Sequence, residues 1–203
     1  MSEPSDSAPA AELVAPGLWH WRARNANIGG SISSCQLYER AGEAVLVDPV
    51  PLDDEAWAGL PQPTAVVLTA KCHQRSAWRY RRQFVATVWG PAGTAPMDER
   101  PDNMYEEGDP LPAALRPVRT PGPEPVHFCL LAEDGVLFCS DLLANADRLE
   151  FVPLQYHDDP DETRRSVQGL LELEFSILCL DHGPPITDDP KAAISDLLQR
   201  TAG

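Results

Sequence analysis

The sequence has no apolar run near the roughly 18 residues that a membrane-spanning helix requires. It has no internal repeat and no CxxC pair. Positive charge is scarce: 16 Lys and Arg stand against 31 Asp and Glu, a formal net charge of -15. A surface of that sign repels nucleic acid and anionic membrane, so neither is expected as a partner. Met1 to Ala11 lack the basic-then-apolar order of a secretory signal. We expect residues 1–11 to form a flexible tail, residues 12–203 a single domain, and the protein to be cytoplasmic. The five cysteines (Cys35, Cys72, Cys129, Cys139, Cys179) are odd in number and widely spaced, and four lie in apolar runs. That pattern suits reduced, buried thiols rather than a disulfide framework.

What is present suits a folded core. Hydrophobic residues make up 43% of 203 positions, enough for a globular domain. Twenty-one prolines cluster between elements and read as rigid loops. Apolar runs predict strands at 17–22, 32–38, 44–47, 65–69, 85–89, 126–131, 136–140 and 176–180. Gly135 marks a hairpin turn between two of them. A short helix is predicted over 76–84. Asp159-Pro160-Asp161-Glu162 combines a capping residue, a first-turn proline and an acidic third position, and starts a helix to about 172. Asp189-Pro190 repeats the device for a helix to about 200. The order predicts two packed sheets with helices outside, a layered α/β architecture.

Five ordered segments then resemble the metallo-β-lactamase superfamily. Val45-Leu46-Val47-Asp48-Pro49 resembles its early strand ending in Asp. Val66-Val67-Leu68-Thr69 resembles the strand that delivers the metal-binding loop. Arg119-Thr120-Pro121-Gly122 resembles its TPG turn. Asp134 to Asp141 (DGVLFCSD) resembles the hairpin that ends in a metal-bridging aspartate, and Leu180 to Pro185 (LDHGPP) the late turn carrying the last histidine. The resemblance implies a four-layer αββα sandwich with the site at one edge of the two sheets.

It implies the fold more strongly than the activity. Laid on the family's HxHxDH loop, Ala70 falls on the first histidine, Cys72 on the second, Gln74 on the aspartate and Arg75 on the third histidine. Pro123 falls where the next ligand histidine is expected. Asp141 and His182 match. The resemblance thus implies a largely lost dinuclear site, with either no metal or a single weakly bound zinc or iron on Cys72, Asp141 and His182. In this register His73 is a surface or backbone-bonded histidine, and a shift of one residue would bring it inward without completing a site. Asp48 is expected to cap or hydrogen-bond the nearby loop. His20, His127 and His157 read as structural.

One basic cluster stands out. Lys71, Arg75, Arg79, Arg81 and Arg82 fall within twelve positions around a loop leading into a helix. An arginine standing where a metal ligand stood can replace the metal's charge with an ion pair, so Arg75 is expected to pair with Asp141. Three functions follow. The protein is a weak single-metal hydrolase of a small ester, thioester or phosphorylated substrate. Or it is a non-catalytic protein whose vestigial pocket (Asp48, Lys71, His73, Gln74, Arg75, Arg119) holds a small anionic metabolite, chiefly through Arg75 and Lys71. Or the sandwich serves assembly, including a homo-oligomer. Cysteine catalysis through Cys72 and His73 ranks low, because adjacent residues rarely face each other.

Overall fold

The computed structural model describes residues 3–201. Strands β1 (Glu12–Ala15), β2 (Leu18–Asn25), β3 (Ser31–Arg40), β4 (Glu43–Val47) and β5 (Ala65–Val67) come first, followed by helix α1 (Ala77–Phe84). Strands β6 (Thr87–Pro91), β7 (Asn103–Tyr105), β8 (Leu115–Arg119), β9 (Phe128–Ala132), β10 (Val136–Cys139), β11 (Leu143–Asn145) and β12 (Leu149–Phe151) precede helix α2 (Pro160–Leu170). Strand β13 (Ile177–Leu180) and helix α3 (Pro190–Arg200) close the described chain.

Strands β1 to β7 form one sheet in sequential order, and β13-β10-β9-β8 form a second. Side-chain alternation along a strand decides which layer each residue joins. Val45 and Val47 of β4 face the second sheet, where Leu130, Phe138 and Cys179 meet them. Leu46 between them faces the other way, onto Trp78 and Tyr80 of α1. Leu137, Cys139, Leu178 and Leu180 of the second sheet face outward onto Val167 and Leu170 of α2 and Ile194 and Leu197 of α3. The layers are therefore α1, sheet, sheet, α2 with α3, the expected αββα sandwich. No helix among the described residues is long and apolar enough to cross a membrane.

Helix ends follow their local chemistry. The Asp159 side chain accepts from Glu162 N at 2.9 Å, and Asp189 from Ala192 N at 3.1 Å, each satisfying an orphan donor of the first turn. At the end of α1 the sequence expectation fails by two residues. Val85, predicted to open a strand, adopts a left-handed conformation that terminates the helix and leaves it 89% exposed. Part of the expected loose tail is also tied down. Ala8 is buried and bridges Leu52, donating to Pro51 O at 2.9 Å.

Candidate metal centre

Four strands deliver the site from their C-terminal ends. Strands β4 and β5 run parallel in the first sheet, and β10 and β13 run parallel in the second. Directly after β4 comes Asp48. After β5 the chain passes Thr69 and a 3-10 turn, Lys71–Gln74. Ser140 and Asp141 follow β10, and Asp181 and His182 follow β13. Three of the non-glycine residues here hold left-handed backbone: Asp48 (φ 46°), Arg75 (φ 33°) and Asp141 (φ 23°). Each such residue costs on the order of 1–3 kcal/mol and persists only where surrounding contacts impose it.

Two of them, Asp48 and Asp141, face His73. Its backbone departs from helical geometry inside the 3-10 turn (φ -92°, ψ 18°), and the ring turns inward to 3% exposure. Nδ1 lies 3.2 Å from Asp48 Oδ2 and 3.1 Å from Thr69 Oγ1. Nε2 lies 3.0 Å from Asp141 Oδ2 and 3.2 Å from Asp181 Oδ2. Asp48 is itself held, accepting from Thr69 N at 2.9 Å and from the Thr69 hydroxyl. His182 mirrors the arrangement. Its Nδ1 donates to Ile32 O at 2.8 Å, and its Nε2 lies 3.3 Å from Asp141 Oδ1. Cys72 Sγ stands 3.3 Å from Asp141 Oδ2.

Arg75 corrects the ion pair expected from sequence. Its guanidinium takes Asp181, with Nη2 2.6 Å from Oδ2, and not Asp141. Both oxygens of Asp141 already face imidazoles. Arg75 also donates to Ser34 O and Asp48 O, each at 3.3 Å. At 4% exposure it is nearly closed to solvent.

Charge compensation sets the protonation of the cluster. Burial works to lower the His73 pKa, but the charge of Asp141, with Cys72 and Asp48 behind it, raises it well above the ordinary value. Asp181 raises that of His182 against its burial. Burial opposes ionisation of Asp141, yet His73 and His182 hold its carboxyl well below the usual carboxylate range. Asp181 is likewise depressed against burial by His182, His73 and Arg75. Part of Cys72 faces solvent, but its sulfur is enclosed beside Asp141, and that burial pushes the thiol up to about 12.

Of the other sequence-predicted site residues, Gln74 turns away. Its Oε1 accepts from Trp78 Nε1 and Asp98 N. Arg119 reaches back to Pro125 O. Arg79, Arg81 and Arg82 pair on the surface with Asp54, Glu99 and Asp102. Lys71 does line the cleft beside the cluster, a cavity of ≈ 1560 Å³ that Cys72, Asp141 and His182 also border. Ile28, Ile32, Val126 and Tyr156 make much of the remaining wall apolar.

Two groups of three donors could each hold a metal ion: Cys72, His73 and Asp141, and Asp141, Asp181 and His182. The residues therefore fit an ion better than the sequence implied. The reason is His73, expected in the pocket but not among the donors, and Asp181, unassigned. A sequence signal for Asp181 existed, since it ends an apolar strand immediately before His182.

Solved structures share this architecture. The DIM-1 metallo-β-lactamase covers 97% of this chain with 100% of its own, at TM-score 0.74 and 16% identity. A metallo-β-lactamase from Pontibacter korlensis covers 94% with 99% of its own, at TM-score 0.72 and 15% identity. The metallo-β-lactamase FIM-1 from Pseudomonas aeruginosa, in its mono-zinc form, covers 98% with 98% of its own, at TM-score 0.66 and 15% identity. No protein-family model and no curated protein matches the chain. The protein has the metallo-β-lactamase fold.

Proposed function

We propose that the protein is a hydrolase that works with one divalent ion, zinc or iron, in place of a dinuclear pair. Its substrate is a small ester, thioester or phosphorylated molecule. The observation that carries this reading is the shared orientation of His73 and His182. Each has Nδ1 tied to an oxygen behind it and Nε2 aimed at Asp141. Metal-ligating histidines are fixed in this way, by a hydrogen bond from the nitrogen that does not bind metal. The available sulfur, nitrogen and carboxylate donors suit a tetrahedral ion with an open position.

An ion held there would supply Lewis acidity and a water acidified towards neutral pH. The chain's own residues do the rest. Asp48 and Thr69 orient His73, and the Ile32 carbonyl orients His182. Arg75 anchors Asp181 and offsets part of the negative charge of three clustered aspartates. Lys71 places a cation on the cleft wall, suited to a carboxylate or phosphate on the substrate. The apolar walls exclude water from the rest of it.

Chelator-stripped protein titrated with zinc tests the reading. One ion per chain, a raised melting temperature and loss of both in Asp141→Ala are expected. No stoichiometric zinc and no shift in melting would end it.

A second reading has one observation in its favour. Arg75, His73 and His182 can offset Asp48, Asp141 and Asp181 without any ion. In that reading the cleft is a non-catalytic site for an anionic metabolite, held by Lys71 and not by Arg75. Stabilisation by carboxylate or phosphate ligands in the presence of chelator, with no hydrolysis after zinc loading, would favour it.

A further inference from the structure

Positive charge is scarce in this chain, yet three of its 16 Lys and Arg line one small cavity apart from the candidate metal centre. Arg148 precedes β12, Arg164 sits on α2 and Arg200 ends α3. The cavity measures ≈ 680 Å³, and among the described residues that line it Glu150 is the one acid. Cys72, His73, Asp141, Asp181 and His182 do not border it.

Two of the arginines already have carboxylate partners. Arg148 Nε donates to Glu150 Oε1 at 2.9 Å. Arg200 donates to Asp196 Oδ2 at 2.7 Å and to Leu149 O at 2.9 Å. Arg164 differs, forming no ion pair with a carboxylate among the described residues. Its Nη1 donates to Thr201 Oγ1 at 2.9 Å, and its Cζ lies 5.1 Å from the centroid of the Phe151 ring. The Thr201 hydroxyl gives its own proton to Leu197 O at 2.8 Å, so it meets the guanidinium with a lone pair.

Phe151 and Thr201 both line the cavity, so the charged end of Arg164, and not only its stem, stands at the wall. The residue is half-buried and open to a ligand from solvent. A guanidinium carries five N–H donors and accepts nothing. Held against an aromatic ring and by one hydrogen bond, its planar fork is set to take a carboxylate or phosphate on two parallel hydrogen bonds. Phe151, Leu154 and Leu197 give the same cavity an apolar side.

We propose that this cavity is a second ligand site, which binds a small organic anion with its carboxylate or phosphate on Arg164 and its apolar body against Phe151, Leu154 and Leu197. Arg200, with its side chain 27% exposed, and Arg148, at 64%, add positive charge nearer the rim. The site goes beyond the hydrolase reading and does not rest on it, since no candidate metal donor takes part. Val152 and Pro153 line this cavity and the cleft of the metal centre alike, so a test must tell the two places apart.

The full-length protein, in the presence of chelator, is titrated calorimetrically with phenylacetate, acetate and 2-phenylethanol, which separate the anion from the apolar body. One phenylacetate per chain is expected, bound about tenfold more tightly than either acetate or 2-phenylethanol. NMR of methyl-labelled protein locates it without any substitution: signals of Leu154 and Leu197 should shift, while those of Ile28 and Ile32 in the metal cleft stay in place. Arg164→Gln should weaken phenylacetate binding about tenfold, and Lys71→Gln, in the cleft, should leave it unchanged. The methyl signals decide the matter even where Arg164→Gln does not fold. Absence of saturable binding, equal affinity for 2-phenylethanol, shifts confined to Ile28 and Ile32, or undiminished binding by folded Arg164→Gln would overturn the proposal.

Discussion

The Arg75 guanidinium closes on Asp181 at 2.6 Å, with the two side chains 4% and 3% exposed. Removing one member of a buried pair leaves the other charge uncompensated, at a cost of about 3–5 kcal/mol. Arg75→Met is expected to lose that much, measured by denaturant unfolding. Arg75→Met combined with Asp181→Leu should recover most of it, because the buried carboxylate is gone. Zinc should stabilise Arg75→Met more than wild type, since an ion would then supply the missing charge. Additive losses in the double variant would contradict the pairing.

Two populations of histidine make opposite demands on pH. Ordinary histidine titrates near about 6.5. His73 and His182 are raised above that value in the fold, so their contribution is complete below 6.5 and is lost as pH rises through their folded values. His20 and His127 are lowered to about 4, chiefly by burial. Their contribution is present above 6.5 and is lost as pH falls towards 4. Asp141 and Asp181, depressed by their cationic neighbours, lose theirs only further into acid. Chelated protein should therefore melt highest near pH 6.5 and decline on both sides. His182→Gln should flatten the alkaline decline alone. Zinc should reverse that decline, because metal binding requires deprotonated imidazoles.

Much of the fold was legible because its central strands are continuous apolar runs. Ala65 to Leu68 is buried on both faces, and no other element accommodates that pattern so well. Edge and connecting strands such as β7 and β12 are three residues long and carry too little periodicity to register. Of the candidates read from the motif resemblance, Asp141 and His182 do lie together, with Nε2 3.3 Å from Oδ1. His73 was placed in the pocket but not among the donors, since a motif register makes Cys72 the inward residue and cannot foresee that the 3-10 turn rotates the next residue into the cluster. Arg75 was identifiable as a buried counter-charge. Its partner was not, because choosing Asp181 over Asp141 depends on both imidazoles having taken the Asp141 oxygens.

Cys72 separates the empty from the loaded site. Its thiol, pushed up to about 12 by burial beside Asp141, should react slowly with iodoacetamide at pH 7.5, since the thiolate is the nucleophile. If Cys72 joins the ion, zinc deprotonates it outright, and its proton should be released on binding in addition to any lost by a ligating imidazole. Cys72→Ser should weaken zinc affinity while leaving unfolding within about 0.5 kcal/mol of wild type, since the swap keeps the shape of a side chain on a partly exposed residue. Unchanged affinity would remove Cys72 from the donor set and leave the ion to Asp141, Asp181 and His182.

Gly183 directly follows His182, and a pair of alanine substitutions can show whether it positions that histidine. Gly183 has φ 114°, and a Cβ there would stand 1.8 Å from the Asn145 carbonyl oxygen. Gly42 also has positive φ, at 81°, but a Cβ there would meet nothing within 4 Å. Gly42→Ala should therefore cost only the backbone strain, about 1 kcal/mol. Gly183→Ala adds a clash with backbone that cannot swing aside. Asn145 N also donates to His182 O at 2.7 Å, so relieving the clash must move the histidine as well. Gly183→Ala is expected to cost more than about 2 kcal/mol and to reduce zinc affinity, whereas Gly42→Ala leaves that affinity intact. A Gly183→Ala protein that is destabilised yet binds zinc normally would show that the turn serves the fold alone, with His182 positioned by the Ile32 carbonyl.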